Sequence, residues 1–168
     1  MSDLYIITGP AGVGKSTISK EIAKSKKKSA LIEGDDIYRQ VIGGYIQAWK
    51  EGNHLDVFGK VCVNTIKIYL ENGYDVIFNY IVTHTLLKQI QEKFKDYNIK
   101  FVVLLVDEET LLLRDKERPE ECQMKERCIV LLNNFKNKNY NKQNILDTSN
   151  LTVNETVDII EKDNRFIL

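Results

Sequence analysis

Proline is nearly absent from the chain, which carries only Pro10 and Pro119. No proline-rich linker, low-complexity tract or internal repeat divides it. Cysteine is scarce and odd in number: Cys62, Cys122 and Cys128 fit no complete disulfide framework, and none sits in the C-x2-C pairing of a zinc site. Reduced thiols in a cytoplasmic protein are the expectation. Neither sign of charge dominates, since 24 Lys and Arg balance 24 Asp and Glu. No nucleic acid or acidic membrane surface is therefore expected as a partner. The one basic cluster, Lys24-Ser25-Lys26-Lys27-Lys28, falls where a first helix should end, a place that favours cations. Long hydrophobic runs are missing too. Phe101 to Val106 is far too short to cross a bilayer, and an amino terminus that passes at once into Leu4-Tyr5-Ile6-Ile7 predicts no signal peptide.

What remains is an ordinary globular composition, 43% hydrophobic and 29% charged over 168 residues. That predicts one domain over residues 1–168 with a proper core, as a monomer or a homodimer. Five short apolar runs read as strands: Leu4–Thr8, Ala30–Glu33, Asp75–Phe78, Lys100–Val106 and Asn144–Leu146. Uninterrupted apolar strands fit a parallel sheet covered on both faces. Between them lie helical patterns: Ile18, Ile22 and Ala23; then Cys62, Ile66 and Leu70; then Leu87, Ile90 and Phe94. Asp107-Glu108-Glu109 suits a helix start, and Thr152-x-x-Glu155 reads as a capping box. The alternation predicts an α/β fold that binds ligands outside the carboxyl ends of its strands.

Behind the first strand stands Gly9-Pro10-Ala11-Gly12-Val13-Gly14-Lys15-Ser16-Thr17. Gly-x4-Gly-Lys-Ser between a strand and a helix is a phosphate-binding loop, and a chain of this length meets the pattern by accident roughly 1% of the time. Backbone N–H groups of Gly9 and of Ala11 through Thr17, Val13 included, can ring phosphate oxygens while the helix end adds positive potential. Lys15 would reach the β- and γ-phosphates, and the Ser16 hydroxyl would ligate Mg2+.

Nucleotide binding leaves the chemistry open. A GTPase switch needs D-x-x-G after its third strand; Asp56-Val57-Phe58-Gly59 matches the letters but runs into a helical pattern. No acid follows Asn-Lys in a guanine-reading motif. A motor-type or AAA-type ATPase needs an acid closing a strand beside the metal, yet Asp75-Val76-Ile77-Phe78 ends in Asn79. A kinase needs an acid facing the γ-phosphate and an arginine-bearing cover. After the second strand come Glu33-Gly34-Asp35-Asp36. Glu33 and Asp35, two apart, would point the same way, hold a water of the Mg2+ shell and take the acceptor's proton. Asp35 or Asp36 as N-cap of a helix near Ile37 is the plainer reading of those acids, and it suits Asp36 better.

The loop, the acid-x-acid pair and Arg114-Asp115-Lys116-Glu117-Arg118-Pro119 together resemble the small-molecule kinases of the shikimate kinase, gluconate kinase and adenylylsulfate kinase group, with chloramphenicol phosphotransferase in the same circle. That resemblance implies a nucleoside-monophosphate-kinase-like three-layer sandwich with a five-stranded parallel sheet and a short helical lid at about 114–128. It implies ATP as donor and Mg2+ as cofactor. Asp35 falls on the base or orienting position, and Glu33 on the contact to the metal's water shell. Arg114 falls on the adenine-stacking position and Arg118 on the phosphoryl-covering one. Asp147-Thr148-Ser149-Asn150 resembles the adenine-cradling loop, which includes Thr148. The plain alternatives stand beside these: a charged helix face pairing Arg114 with Glu117 and Arg118 with Glu121, and a simple turn at Thr148.

The acceptor, a small hydroxylated molecule, is expected between a helical segment at about 35–58 and the third strand. Arg39, Asn79, Tyr80 and the lid residue Arg127 are its candidate contacts, with Tyr38 and His84 nearby. His84 also reads as a helix start, His54 as a loop residue, and Tyr45 and Trp49 as pocket wall or core. No motif names the acceptor: metabolite, nucleoside or nucleotide, and antibiotic all fit.

Overall fold

A computed structural model describes residues 2–50 and 52–168. The elements run β1 (Asp3–Thr8), α1 (Lys15–Ser25), β2 (Ser29–Glu33), α2 (Gly34–Arg39), α3 (His54–Glu71), β3 (Asp75–Asn79), α4 (His84–Lys93), β4 (Asn98–Leu105), α5 (Glu108–Lys116), α6 (Glu126–Lys136), β5 (Ile145–Asp147) and α7 (Val153–Lys162). Short 3-10 turns lie at Glu120–Cys122, Lys142–Asn144 and Asn164–Phe166. The strands form one parallel sheet in the order β2-β3-β1-β4-β5.

In β1, Leu4, Tyr5, Ile6 and Ile7 are all buried. Successive strand residues face opposite sides of a sheet, so burial of every one means that helices cover both faces. β3 and β4 repeat this with Val76, Ile77 and Phe78, and with Val102, Val103 and Leu104. Against them pack Ile18 and Ile22 of α1, Cys62, Ile66 and Leu70 of α3, and Ile90 of α4 with Phe94 after it. Leu86, rather than Leu87, is the fully buried partner on α4. The Thr83 side chain caps this helix by accepting from the Leu86 N–H, which fixes the phase of its apolar face.

The other caps fall where the acids and hydroxyls suggested. The Asp107 carboxylate accepts from the Thr110 N–H at the start of α5, and Thr152 with Glu155 forms the capping box of α7. Each such cap stabilises by about 1 kcal/mol. One buried cation was not anticipated. Lys100, inside β4 and 3% exposed, donates from Nζ to the carbonyls of Ile160, Glu161 and Asp163 at 3.0, 2.6 and 3.4 Å. It satisfies the last carbonyls of α7, where a cation is electrostatically favoured.

Two expectations need correction. The segment at 35–58 is not one helical stretch: helix occupies only α2 and the start of α3, and the described residues 40–50 between them contain none. Helix α2 stops at Arg39 with Gln40 as its cap, and Gly43-Gly44, with Gly44 at φ 69°, follow within the non-helical stretch. Asp36 is not an N-cap either. Helix starts at Gly34 with Glu33 in the capping position, so Asp35 and Asp36 both lie in the first turn.

Candidate active site

β1 delivers the glycine-rich loop to the carboxyl edge of the sheet. Gly9 is required by close approach, since a Cβ there would stand 2.5 Å from the Leu104 carbonyl oxygen of β4. Gly14, at φ 99°, occupies the capping position of α1 in the left-handed region, and no side chain caps the helix. The first-turn N–H groups are thereby left to face an anion. A cavity of about 530 Å³ opens here. Its floor is the run from Ala11 to Ile18, Asp35 and Asn79 stand on one side, and Arg114, Glu117, Arg118 and Thr148 lie across it.

The Lys15 ammonium reaches back over the loop and donates to the Pro10 carbonyl at 2.9 Å. Burial lowers its pKa to about 8, with the Arg118 charge pushing the same way and Asp35 and Glu33 pulling against them. Lys15, Asp35, Glu33 and Arg118 therefore share one electrostatic field. Phosphate oxygens there would restore full charge to the lysine.

Beside it, β2 and β3 end in register, Glu33 opposite Asn79. The Asn79 side chain donates to the Ser16 hydroxyl at 3.0 Å and also to the Glu33 carboxylate. The Ser16 hydroxyl in turn lies 3.4 Å from that carboxylate. Burial raises the Glu33 pKa, and the neighbouring charges of Asp36 and Asp35 add to the effect, partly offset by the Ser16 and Asn79 hydrogen bonds. A hydroxyl and carboxylates converging beside phosphate-binding amides suit a hard cation that keeps several waters, which is how Mg2+ is held. No cluster of three or more His, Cys, Asp or Glu side chains forms a full metal cage among the described residues. Water and phosphate oxygens would complete the shell.

On the far side, Arg114 of α5 is fixed by three in-plane bonds. Nη1 donates to the Val13 carbonyl at 3.0 Å and to the Thr148 hydroxyl at 3.2 Å, while Nη2 donates to the Thr148 carbonyl at 2.9 Å. Bonds in the plane of a guanidinium leave its flat faces free for stacking. Arg118 lies one turn on and pairs through Nη1 with Asp115 at 3.1 Å. Neither Arg114 with Glu117 nor Arg118 with Glu121 forms the surface pair expected of a plain charged face; the described ion pairs instead join Arg118 to Asp115. The expected lid at 114–128 divides into the last turn of α5, a loop with one 3-10 turn, and the start of α6.

The acceptor-side candidates separate. Asn79 lines the cavity. Tyr80 does not; its ring packs over the backbone of Gly34 and against Phe58, centroids 4.6 Å apart. Burial pushes the Tyr80 phenol well up, with the Asp35 charge adding to it. Arg39 is exposed and paired with Asp36, and Arg127 lies 5.0 Å over the Trp49 ring, both away from the cavity lining. Arg127 nonetheless joins the start of α6 to the loop after α2. His54 opens α3 instead of lying in a loop. Asp115 went unnoticed in the sequence. Its signal was a carboxylate four residues after Leu111, on the face of α5 that should be apolar.

A family model described as an AAA domain matches residues 6–144. The chain belongs to that family. No curated protein matches the sequence. Among solved structures, the tunicamycin resistance protein of Deinococcus radiodurans is 15% identical with a TM-score of 0.68, over 95% of this chain and 94% of that one. A sugar kinase from Janibacter is 13% identical at 0.68, over 94% and 91%. A gluconokinase from Sinorhizobium meliloti is 16% identical at 0.64, over 94% and 89%. At such identities the likeness is one of fold: this AAA-family chain has the α/β architecture of small P-loop kinases. Membership in the family by itself does not separate ATP hydrolysis from phosphoryl transfer; the residues of the site must do that. No helix among the described residues is long and apolar enough to cross a membrane.

Proposed function

We propose that the protein transfers the γ-phosphoryl group of ATP to a hydroxyl of a small molecule. The observation that carries this is the composition of the cavity wall. Asp35 stands free at the opening of α2 on the same cavity as Lys15 and Arg118, while β3 ends beside the loop in Asn79, which cannot take a proton from water. Both features support a carboxylate that serves an acceptor entering past α2 over the hydrolytic acid expected at the end of a strand in an AAA-type ATPase.

The loop amides and Lys15 bind and neutralise the β- and γ-phosphates. Ser16, with Glu33 and Asn79 behind it, would hold Mg2+, which would supply neutralisation of the phosphate charge. Asp35 orients the acceptor hydroxyl and takes its proton as the acceptor oxygen bonds to phosphorus and the bond from phosphorus to the β,γ-bridging oxygen breaks. ADP leaves with the electron pair of that bond. Arg118 meets the equatorial oxygens, a task suited to a planar guanidinium. Adenine would lie between the free face of Arg114 and the loop from Thr148 to Leu151. The protein would act in the cytoplasm, with no macromolecular acceptor.

The test is a panel. Protein and MgATP are incubated with sugars and sugar acids, nucleosides and nucleotides, and hydroxylated antibiotics, and ADP release is followed together with phosphorylated product. Release that depends on one acceptor class supports the reading. Slow release at one rate with every member, and no new phosphate ester, would replace it with a hydrolytic or regulatory nucleotide-binding role.

A further inference from the structure

Asp115 touches no cavity, yet it is 2% exposed and takes more hydrogen bonds than any acid of the candidate site. Its carboxylate accepts from the Met124 N–H at 3.1 and 2.9 Å, from the Lys125 N–H at 2.8 Å, and from Arg118 Nη1 at 3.1 Å. All three partners belong to the loop between α5 and α6. Gln123 ties the same loop internally, donating to the carbonyls of Lys116 and Arg118 at 3.1 and 2.9 Å. Lys125, at φ 49° and ψ −127°, is the one non-glycine residue with positive φ among those described. Such backbone persists only where its surroundings hold it, and here the Lys125 N–H is held by Asp115. The phosphate-binding loop passes directly alongside: a Cβ on Gly12 would lie 3.9 Å from Asp115 Oδ1 and 3.2 Å from Leu111.

We infer that Asp115 is a positioning residue whose carboxylate clasps residues 118–125 into one loop and sets where the Arg118 guanidinium stands at the phosphate cavity. A buried carboxylate is tolerated only when its charge is met by donors. Burial alone would raise the pKa of Asp115, but the donors from Met124, Lys125 and Arg118 outweigh it and hold the group below its ordinary value. It is therefore a fixed anion at neutral pH. Oδ2 binds the returning backbone at Lys125, and Oδ1 steers Arg118, so loop geometry and guanidinium position are set by a single group. Arg118 swinging onto phosphate would leave Oδ1 its Met124 bond and keep the loop closed. The part Arg118 plays in turnover rests on the phosphotransfer reading above; the clasp does not.

Two measurements test this. Amide exchange on the wild-type protein should show the Met124 and Lys125 N–H groups slowed about 10²-fold or more relative to an unstructured chain, and slowed much less in Asp115→Asn. Unprotected amides in the wild type would overturn the clasp. Turnover of MgATP, with an acceptor or as bare hydrolysis, should fall roughly 10- to 10²-fold in Asp115→Asn, with KM for MgATP within about threefold. Added to Arg118→Ala, the same change should cost less than about twofold further. Additive losses in the double variant would show that Asp115 does not act through Arg118. If Asp115→Asn fails to fold, Asp115→Glu keeps the charge, moves it by one methylene and enters the same cycle. A missing acceptor would show as acceptor-independent turnover with the amides still protected, which refutes the kinase reading and leaves the clasp standing.

Discussion

Asn79 donates from its side-chain amide to the Ser16 hydroxyl over 3.0 Å, tying the end of β3 to the first turn of α1. The same amide reaches the Glu33 carboxylate, so two strands and a helix converge on one hydroxyl oxygen. Ser16 can accept from Asn79 and turn its proton toward Glu33 while its remaining lone pair is left for a metal.

Asn79 therefore fixes the orientation of the hydroxyl that, in the proposed reaction, would hold Mg2+. Asn79→Asp replaces the donor with a second carboxylate beside Glu33, and like charges repel there. The expected outcome is a loss of Mg2+-dependent nucleotide affinity of about 10-fold or more, in the range that removal of an outer-shell partner costs. Asn79→Ala should lose less, because it removes the donor without adding charge. Titration calorimetry with MgATP checks both. Equal affinities in all three proteins would reduce Asn79 to packing.

Asp35 is exposed, in the first turn of α2, and borders the phosphate cavity. Asp35→Asn keeps the shape and removes the base. ATP affinity should stay within a few-fold, while acceptor phosphorylation falls by roughly 10²-fold or more. Single-turnover measurements separate the two effects. Unchanged transfer would take Asp35 out of the chemistry.

Much of the sheet was legible because its strands are buried on both faces and read as unbroken apolar runs; Leu4-Tyr5-Ile6-Ile7 is the plainest case. The phosphate loop was legible because glycine, lysine and serine are each demanded by geometry or charge at fixed spacing. The acid pair was found for an incomplete reason. Strand alternation was expected to aim Glu33 and Asp35 together, but the strand ends at Glu33 and it is the first helical turn that swings Asp35 to the cavity. Arg127, Arg39 and Tyr80 were placed by proximity in sequence, and proximity cannot say which way a side chain turns. Asp115 and Lys100 were missed because a charged residue on a buried face has meaning only once its backbone partners are known, and those lie up to 63 residues away.

Lys15 gives the site a pH signature. Its pKa near 8 means that the ammonium is formed before nucleotide arrives at neutral pH. Above about pH 8 a growing share of the protein must take up a proton on binding phosphate, because the bound anion favours the charged lysine. Affinity for MgATP should be level near pH 7 and fall above pH 8, by up to about tenfold per pH unit. Lys15→Met should bind more weakly and show no such slope. A level profile through pH 9.5 in the wild type would remove the lysine from phosphate binding.

Gly34 separates the two acids and lies under the Tyr80 ring, where an added Cβ would meet ring and Cβ atoms at 2.5 to 2.8 Å. Those atoms are not a flexible tip, so Gly34→Ala must shift Tyr80 or the start of α2. Overpacking of this kind costs about 1–3 kcal/mol. Transfer should suffer more than stability, because Asp35 moves with the turn. Gly34→Ala combined with Tyr80→Ala removes the obstructing ring and should recover part of the lost activity. No recovery would place the fault in the backbone of Gly34 itself.

Lys100 offers a control in which stability and binding come apart. Lys100→Met keeps length and apolar stem but leaves the carbonyls of Ile160, Glu161 and Asp163 without their buried donor. Stranding buried acceptors costs about 1–3 kcal/mol, and each kcal/mol lowers Tm by roughly 2–4 °C in a chain of this size. Lys100 is remote from the cavity lining, so MgATP affinity below the transition should stay within about twofold. Thermal unfolding with and without MgATP measures both quantities. A Tm equal to that of the wild type would mean that water serves those carbonyls as well as the ammonium does, whereas weakened nucleotide binding would show that α7 transmits its anchoring to the adenine-side loop.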